Sequence, residues 1–514
     1  MHKLVPTTLA LALVMPFGAF ADTPSDLAAL RQEMDALRAA YEARLQSLEQ
    51  RLQKAESALA ASPPAVAVAA PASPPPVASA GGGANAFNPA TALILSGLYT
   101  RTSQDPAKYA ITGFQLPPGA EIGPGTRGFS LAESELDFTA SIDPWLRGAA
   151  NISLHADNSV SVEEAFVQTT SLGNGFALKA GRFFSGIGYL NPQHAHTWDF
   201  VDNPLAYQAM LGTQYGDDGL QLTWLPPIDQ YVELGLELGR GRSFPGSDSS
   251  RNGAGMVALT ARTGGDIGDS QSWRAGLSFL NAKAKDQSLL ASNAGGSAVT
   301  DAFNGSTRVW VADAIWKWAP NGNATRTNVK LQGEYLRSTR SGSLVYDVGG
   351  ADRNGAYRAT QSGWYVQGVW QFMPYWRVGL RTERLDPGTP DYGINAASFA
   401  TSDYKPRKNS LMLDFSPSEF SRVRLQLAQD RSREGIADKQ LFIQYQWAIH
   451  LTGVLLPPRP VLPRALQAWR MSAFAWRLWL VGLGAFHSRE VLVAHWVMCD
   501  GEFQDSVEQH AAAT

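Results

Sequence analysis

The chain is short of cysteine, of net charge and of long apolar runs, and each shortage narrows what it can be. Its single cysteine, Cys499, cannot close an intrachain disulfide or build a cysteine-based zinc cluster. A formal net charge of −3 over 514 residues offers no polyelectrolyte patch, which excludes nucleic acid as the expected partner. Between Asp22 and Ile449 there is no run of the roughly 18 apolar residues that a spanning helix requires. Catalytic signatures are missing too. There is no Gly-x-Ser-x-Gly elbow, no His-Glu-x-x-His helix and no phosphate loop, so no catalytic residues are expected and the chain reads as a non-enzyme.

What is present is aromatic and glycine-rich: 15 Trp, 15 Tyr, 22 Phe and 48 Gly, with only 17% charged residues. The first 21 residues read as a secretory signal peptide. Met1-His2-Lys3 is a positive start, Leu4 to Val14 is apolar, and Ala19-Phe20-Ala21 is a cleavage pattern.

Residues 22–59 then read as a coiled coil. Thr23 serves as N-cap with Pro24 at the first helical position. Leu27, Leu30, Met34, Leu37 and Tyr41 recur in steps of three and four, and a stutter at Leu45 precedes Leu48, Leu52, Ala55 and Leu59. So narrow an apolar seam points to self-association as a homotrimer or other homo-oligomer; a lone solvated helix is the alternative. Residues 60–87, with Pro74-Pro75-Pro76 and Gly81-Gly82-Gly83, read as an extended tether.

From 88 to 449 the period becomes two. Leu136, Phe138 and Ala140 alternate with Glu135, Asp137 and Thr139. Leu234, Leu236 and Leu238 alternate with Glu233 and Glu237. Val378 and Leu380 alternate with Arg377 and Arg381, and Val423, Leu425 and Leu427 with Arg422, Arg424 and Gln426. Short connections such as 143–145 and 226–230 alternate with long polar ones at 101–128, 186–217, 240–254, 282–305, 339–361 and 386–407. The expected fold is an all-β transmembrane barrel of about 16 antiparallel strands behind an α-helical coiled coil, closed by pairing 92–100 with 439–449. Such a barrel implies outer-membrane lipids and the barrel assembly machinery as partners.

Asn88-Pro89, Glu163-Glu164-Ala165-Phe166, Gly181-Arg182-Phe183, the stretch from Asn191 through His194-Ala195-His196-Thr197-Trp198-Asp199-Phe200, and Asp217-Asp218-Gly219 together resemble a family of proteobacterial outer-membrane proteins. Its members carry a coiled coil followed by a barrel similar to phosphate-selective and carbohydrate porins, and some are labelled zinc-regulated TonB-dependent receptors. The resemblance implies passage of a small solute or ion. It departs from active receptors in having a coil and tether where their folded plug would be. A passive or facilitated pore is therefore the favoured expectation. TonB-dependent zinc uptake and a structural link between outer membrane and cell wall are the alternatives.

Two sets of residues carry the expected chemistry. Arg377, Arg381, Arg422 and Arg424, set against Glu135, Asp137, Glu233 and Glu237, are candidate selectivity residues of the lumen; simple solvated lumen residues are the alternative. His194, His196, Asp199 and Asp202 in the 186–217 connection are a candidate zinc set, since imidazole and carboxylate suit that ion. The competing reading folds this connection inward as a constriction, packed by Trp198, Phe200 and Tyr207; no cofactor is required in either case.

The closing strand, with Leu441, Ile443, Tyr445 and Trp447 on one face, is followed by a segment whose alternation is lost. Residues 450–514 read as a frameshift or read-through product, or else as an interfacial amphipathic helix.

Overall fold

Strict alternation gives each strand one greasy face and one polar face, and this fold turns the greasy face outward. The computed structural model describes residues 90–451 apart from Ser171, Arg251 and Thr401. The expected signal peptide, coiled coil and tether, and the tail beyond residue 451, lie outside the described residues.

The strands are β1 (Ala90–Thr102), β2 (Gly128–Leu131), β3 (Ser134–Ser141), β4 (Leu146–Leu154), β5 (Val160–Thr169) and β6 (Phe176–Phe184). After a long inward segment come β7 (Gly216–Trp224), β8 (Tyr231–Gly239), β9 (Met256–Ile267), β10 (Gln271–Ser292), β11 (Ala298–Trp318) and β12 (Asn328–Tyr346). The wall finishes with β13 (Arg353–Met373), β14 (Trp376–Asp386), β15 (Arg407–Ser418), β16 (Ser421–Arg431) and β17 (Asp438–Leu451).

From β3 onward each strand pairs antiparallel with the next. β17 returns to β1 in a register running from Thr91↔Leu451 to Thr102↔Gln440. β2 and β3 pair with successive stretches of β1, so they share one stave and the wall is a closed barrel of 16 staves. Closure leaves no unpaired edge, the condition for a sheet to face lipid. The closing pair and the stave number agree with the alternation read from the sequence.

The barrel is inside-out relative to a water-soluble one. Leu380, Leu411, Val423, Leu425, Leu427 and Ile443 are exposed on the outer surface, whereas Arg381, Glu383, Asp414, Arg424 and Gln444 on the same strands are buried within. Trp145, Trp310, Trp364, Trp370 and Trp447 are also exposed, as lipid-facing aromatics are. Among the described residues no helix is long and apolar enough to cross a membrane.

Two connections expected to be long loops are strand instead. Residues 282–305 and 339–361 belong to the hairpins β10–β11 and β12–β13, which pair as far as Ser292↔Ala298 and Tyr346↔Arg353. These four strands run 22, 21, 19 and 21 residues. Their polar composition resembles a loop because the outer face has left the apolar belt. The inner face is held by an apolar cluster that includes Leu289, Phe303, Leu344, Tyr357 and Phe399.

The segment 185–215, between β6 and β7, turns into the barrel. It carries the helix α1 (Leu205–Leu211), in which every residue is buried, and ends at Gly212 in the left-handed conformation (φ 66°) that terminates helices. Tyr207, Met210 and Leu211 pack with Val309, Val311, Leu336 and Leu385 of the wall. This explains why Val309 to Trp318 is apolar on both faces: one faces outward and the other supports the inward segment.

Candidate functional site

The inward segment is bolted to two walls of opposite character. On one wall, β12–β16 present a ladder of cations, and acids of the segment occupy it. Asp199 pairs with Lys330 and with Arg377 at 3.3 Å, and accepts from Gln367 Nε2 at 3.0 Å. Asp202 pairs with Arg381 at 2.7 Å and with Lys408, and accepts from Gln426 Nε2 at 2.8 Å. Burial would raise the Asp202 carboxyl, but Lys408 and Arg381 override it and hold the group well below the usual carboxylate range. Glu383 accepts the Leu205 backbone N–H at 2.5 Å and Arg381 Nε at 2.7 Å, capping the first turn of α1. Arg424 reaches Asp414 at 2.8 Å and the Trp198 carbonyl at 2.8 Å, and Arg422 donates to the His196 carbonyl.

The expected arginine ladder is therefore real in position but mostly spoken for. Arg381 and Arg424 are enclosed, while Arg377 and Lys330 keep about a quarter of their side-chain surface open to the lumen (25% and 22%). Lys408 and Glu383 were not singled out in the sequence. Lys408 shares its strand face with Asp414, and that parity was the available signal.

The facing wall, β3–β5, is acidic. Glu135 is fully buried and accepts from Asn151 Nδ2 at 2.8 Å and from His196 Nδ1 at 2.8 Å; Asn151 also donates to Asp137 at 2.5 Å. Glu164 accepts the Phe184 backbone N–H at 3.0 Å and His194 Nε2 at 3.1 Å. Glu163 stands beside Glu164 because of a bulge: Asn151 pairs with Glu164 and Ile152 with Val162, leaving Glu163 as the extra residue. A bulge re-aims one side chain, and here it brings two consecutive glutamates toward one imidazole. Burial would lower the His194 pKa, but the close carboxylates of Glu135, Glu163 and Glu164 push it up to about 12.

Glu237 holds the start of the inward segment directly, and Glu233 does so through Arg262, which donates to the Gly186 carbonyl. Glu237 accepts the Ser185 hydroxyl at 2.5 Å and the Gly186 N–H at 2.7 Å, and Glu233 pairs with Arg262 at 2.5 Å.

The four-residue zinc set expected from the sequence does not gather. His194 and His196 go to the acidic wall, whereas Asp199 and Asp202 are committed to the cations opposite. The cause is the 3₁₀ turn at Ala195–Thr197 and the reach of the segment across the barrel, which send successive side chains to different walls. The group whose ligand atoms do converge is Glu135, Glu163 and His194, all within 4.8 Å of one another. Two of these three lie on strands, and only a register shift that sequence does not mark makes Glu163 available.

No protein-family model matches the chain. It is 31% identical over 318 residues to an uncharacterized protein of Aquifex aeolicus (strain VF5), covering 60% of this chain; the chain spans 64% of that relative's length. Among solved structures it is similar to a loop L8 deletion mutant of OmpT of Vibrio cholerae, with a TM-score of 0.43 and 9% identity over 70% of this chain and 99% of that one. It is also similar to an anion-selective porin from Comamonas acidovorans (TM-score 0.42, 11% identity, 70% and 99% covered). A third similar structure is the outer membrane channel DcaP of Acinetobacter baumannii (TM-score 0.39, 12% identity, 70% and 96% covered).

Proposed function

We propose that this protein is an outer-membrane channel through which small polar or charged solutes pass passively, guided between a basic and an acidic lumen wall. The observation that carries this reading is the inward segment, fixed at Asp199 and Asp202 to one wall and at His194 and His196 to the other. A segment held across a closed barrel narrows the passage without breaking the wall. Opposed charges on the two sides impose a field across whatever crosses there. The apolar exterior supports seating in lipid, and assembly as a trimer or other homo-oligomer through the expected coiled coil belongs to the same proposal.

The test is single-channel recording of purified protein in a planar bilayer, where no energy-coupling partner is present. Discrete conductance steps are expected. In a salt gradient, the Lys330→Gln/Arg377→Gln double variant, which removes two partly open cations of the basic wall, is expected to shift the reversal potential toward cation preference. A correctly folded barrel with no conductance would refute the channel.

A further inference from the structure

A histidine nitrogen beside two carboxylates has to share something with them. Nδ1 of His194 is enclosed and has no hydrogen-bond partner among the described residues. It nevertheless lies 3.3 Å from Glu135 Oε2 and 3.4 Å from Glu163 Oε2. Those separations are long for hydrogen bonds to a charged group, which run about 2.7–2.9 Å. They match the edge of a ligand tetrahedron: zinc bonds of about 2.0–2.2 Å to nitrogen and carboxylate oxygen put neighbouring donors roughly 3.3–3.5 Å apart.

The far side of the ring is organised in the way a ligand histidine requires. Nε2 donates to Glu164 at 3.1 Å, so a cation that displaces the Nδ1 proton meets the ring's lone pair on Nδ1, facing Glu135 and Glu163. A carboxylate behind the imidazole orients metal-ligating histidines and raises their basicity. Glu164 is itself fixed by the Phe184 N–H at 3.0 Å, and Glu135 by Asn151 and His196, each at 2.8 Å. The β5 bulge is needed for this arrangement, because ordinary alternation would turn Glu163 toward lipid. A cavity of about 350 Å³ adjoins the cluster at His194 and Glu164, with Asp137 and Asn151 also in its lining.

We propose that Glu135, Glu163 and His194 (through Nδ1) form a binding site for a borderline-soft divalent cation of the zinc class, with Glu164 as the positioning residue behind the histidine. The three protein ligands leave a fourth position to water from the adjoining cavity. The bound ion joins the inward segment to β3 and β5 and offsets the charge of the carboxylates gathered there. The site stands whether or not the barrel conducts.

The test is isothermal titration of untagged, folded full-length protein in detergent with zinc chloride alone, followed by X-ray absorption of the loaded protein. One zinc per chain is expected, bound through nitrogen and oxygen donors at about 2.0–2.1 Å. His194→Ala and Glu163→Gln are each expected to weaken binding at least a hundredfold. Glu164→Gln is expected to weaken it about ten- to a hundredfold, as loss of an outer-shell partner does. His155→Ala, which alters a histidine paired elsewhere with Glu121, is expected to change nothing. Glu163→Gln keeps the size of the side chain, and gel heat-modifiability confirms that each variant is a folded barrel. Undiminished zinc binding by folded His194→Ala, or no zinc bound by the wild type, would overturn the site. Equal binding of calcium would overturn the nitrogen ligand.

Discussion

The Tyr207 hydroxyl donates to the Glu334 carboxylate at 2.8 Å, joining two residues 127 positions apart. The same carboxylate accepts the Tyr365 hydroxyl at 2.6 Å and the backbone N–H groups of Tyr189 and Leu190 at 3.0 Å each. One buried side chain of β12 thus holds both the start of the inward segment and its helix. Burial and the adjacent Glu334 charge keep the Tyr207 phenol well above its usual pKa, so it remains a donor.

Tyr207→Phe removes one hydrogen bond to a charged acceptor while keeping the packed ring. It is expected to cost the inward segment about 1.5–3 kcal/mol. Hydrogen exchange should quicken in Leu205–Leu211 and stay unchanged in the β10–β13 ladders. Unaltered exchange in α1 would show that Glu334 is not its anchor.

Asp202 predicts an acid response. Its folded pKa lies below the roughly 3.9 of a free aspartate, so the group adds stability above that value and loses it as pH falls through the folded pKa. The segment should stay locked through mildly acidic solution and release only in strong acid, read as a rise in conductance or in α1 exchange. Asp202→Asn strips Lys408 and Arg381 of a buried partner, for which about 3–5 kcal/mol is the expected loss. The variant should show no such step in strong acid; retention of the step would assign it to another group.

Leu380 tests the solvent of the outer wall. It is 64% exposed on β14, between the inward-facing Gly379 and Arg381. Leu380→Arg is expected to destabilise the barrel by about 2–4 kcal/mol in lipid if that position lies near the bilayer midplane. Urea unfolding from liposomes measures this, and a neutral result would argue that the surface faces water.

Gly97 of β1 sits opposite Tyr445 of β17 at the closing seam. A Cβ built at Gly97 would fall 2.3 Å from the tyrosine ring, so the ring lies over the glycine. Gly97→Val must displace it and is expected to lose about 0.5–1 kcal/mol of cross-strand packing. Adding Tyr445→Ala should make the valine nearly neutral. Strict additivity of the two changes in urea melts would mean the contact contributes nothing.

Much of this architecture was legible because the outer surface and the interior of the barrel impose opposite preferences on alternate residues. Runs such as Val423, Leu425 and Leu427 against Arg422, Arg424 and Gln426 identify a wall and its inner face without any knowledge of partners. Alternation stops being informative where that contrast ends. Above the apolar belt both faces of β10–β13 are polar or mixed, and paired strand then reads as loop. The site was harder still. His194 and His196 announced themselves, but their neighbours depend on how 185–215 crosses the barrel and on one unpaired residue in β5. Asp199 and Asp202, adjacent in sequence to the histidines, belong electrostatically to strands more than a hundred residues away.

The unequal strands also shape the rim. β10 has 22 residues and β4 has 9, and at about 3.4 Å per residue the difference is roughly 40 Å of strand. β4 and β5 are joined low, across residues 155–159, while β10–β13 rise as a screen on the other side. The mouth is therefore a slanted window rather than a level ring. On the low side His155 and Glu121 stand 3.0 Å apart at the sill.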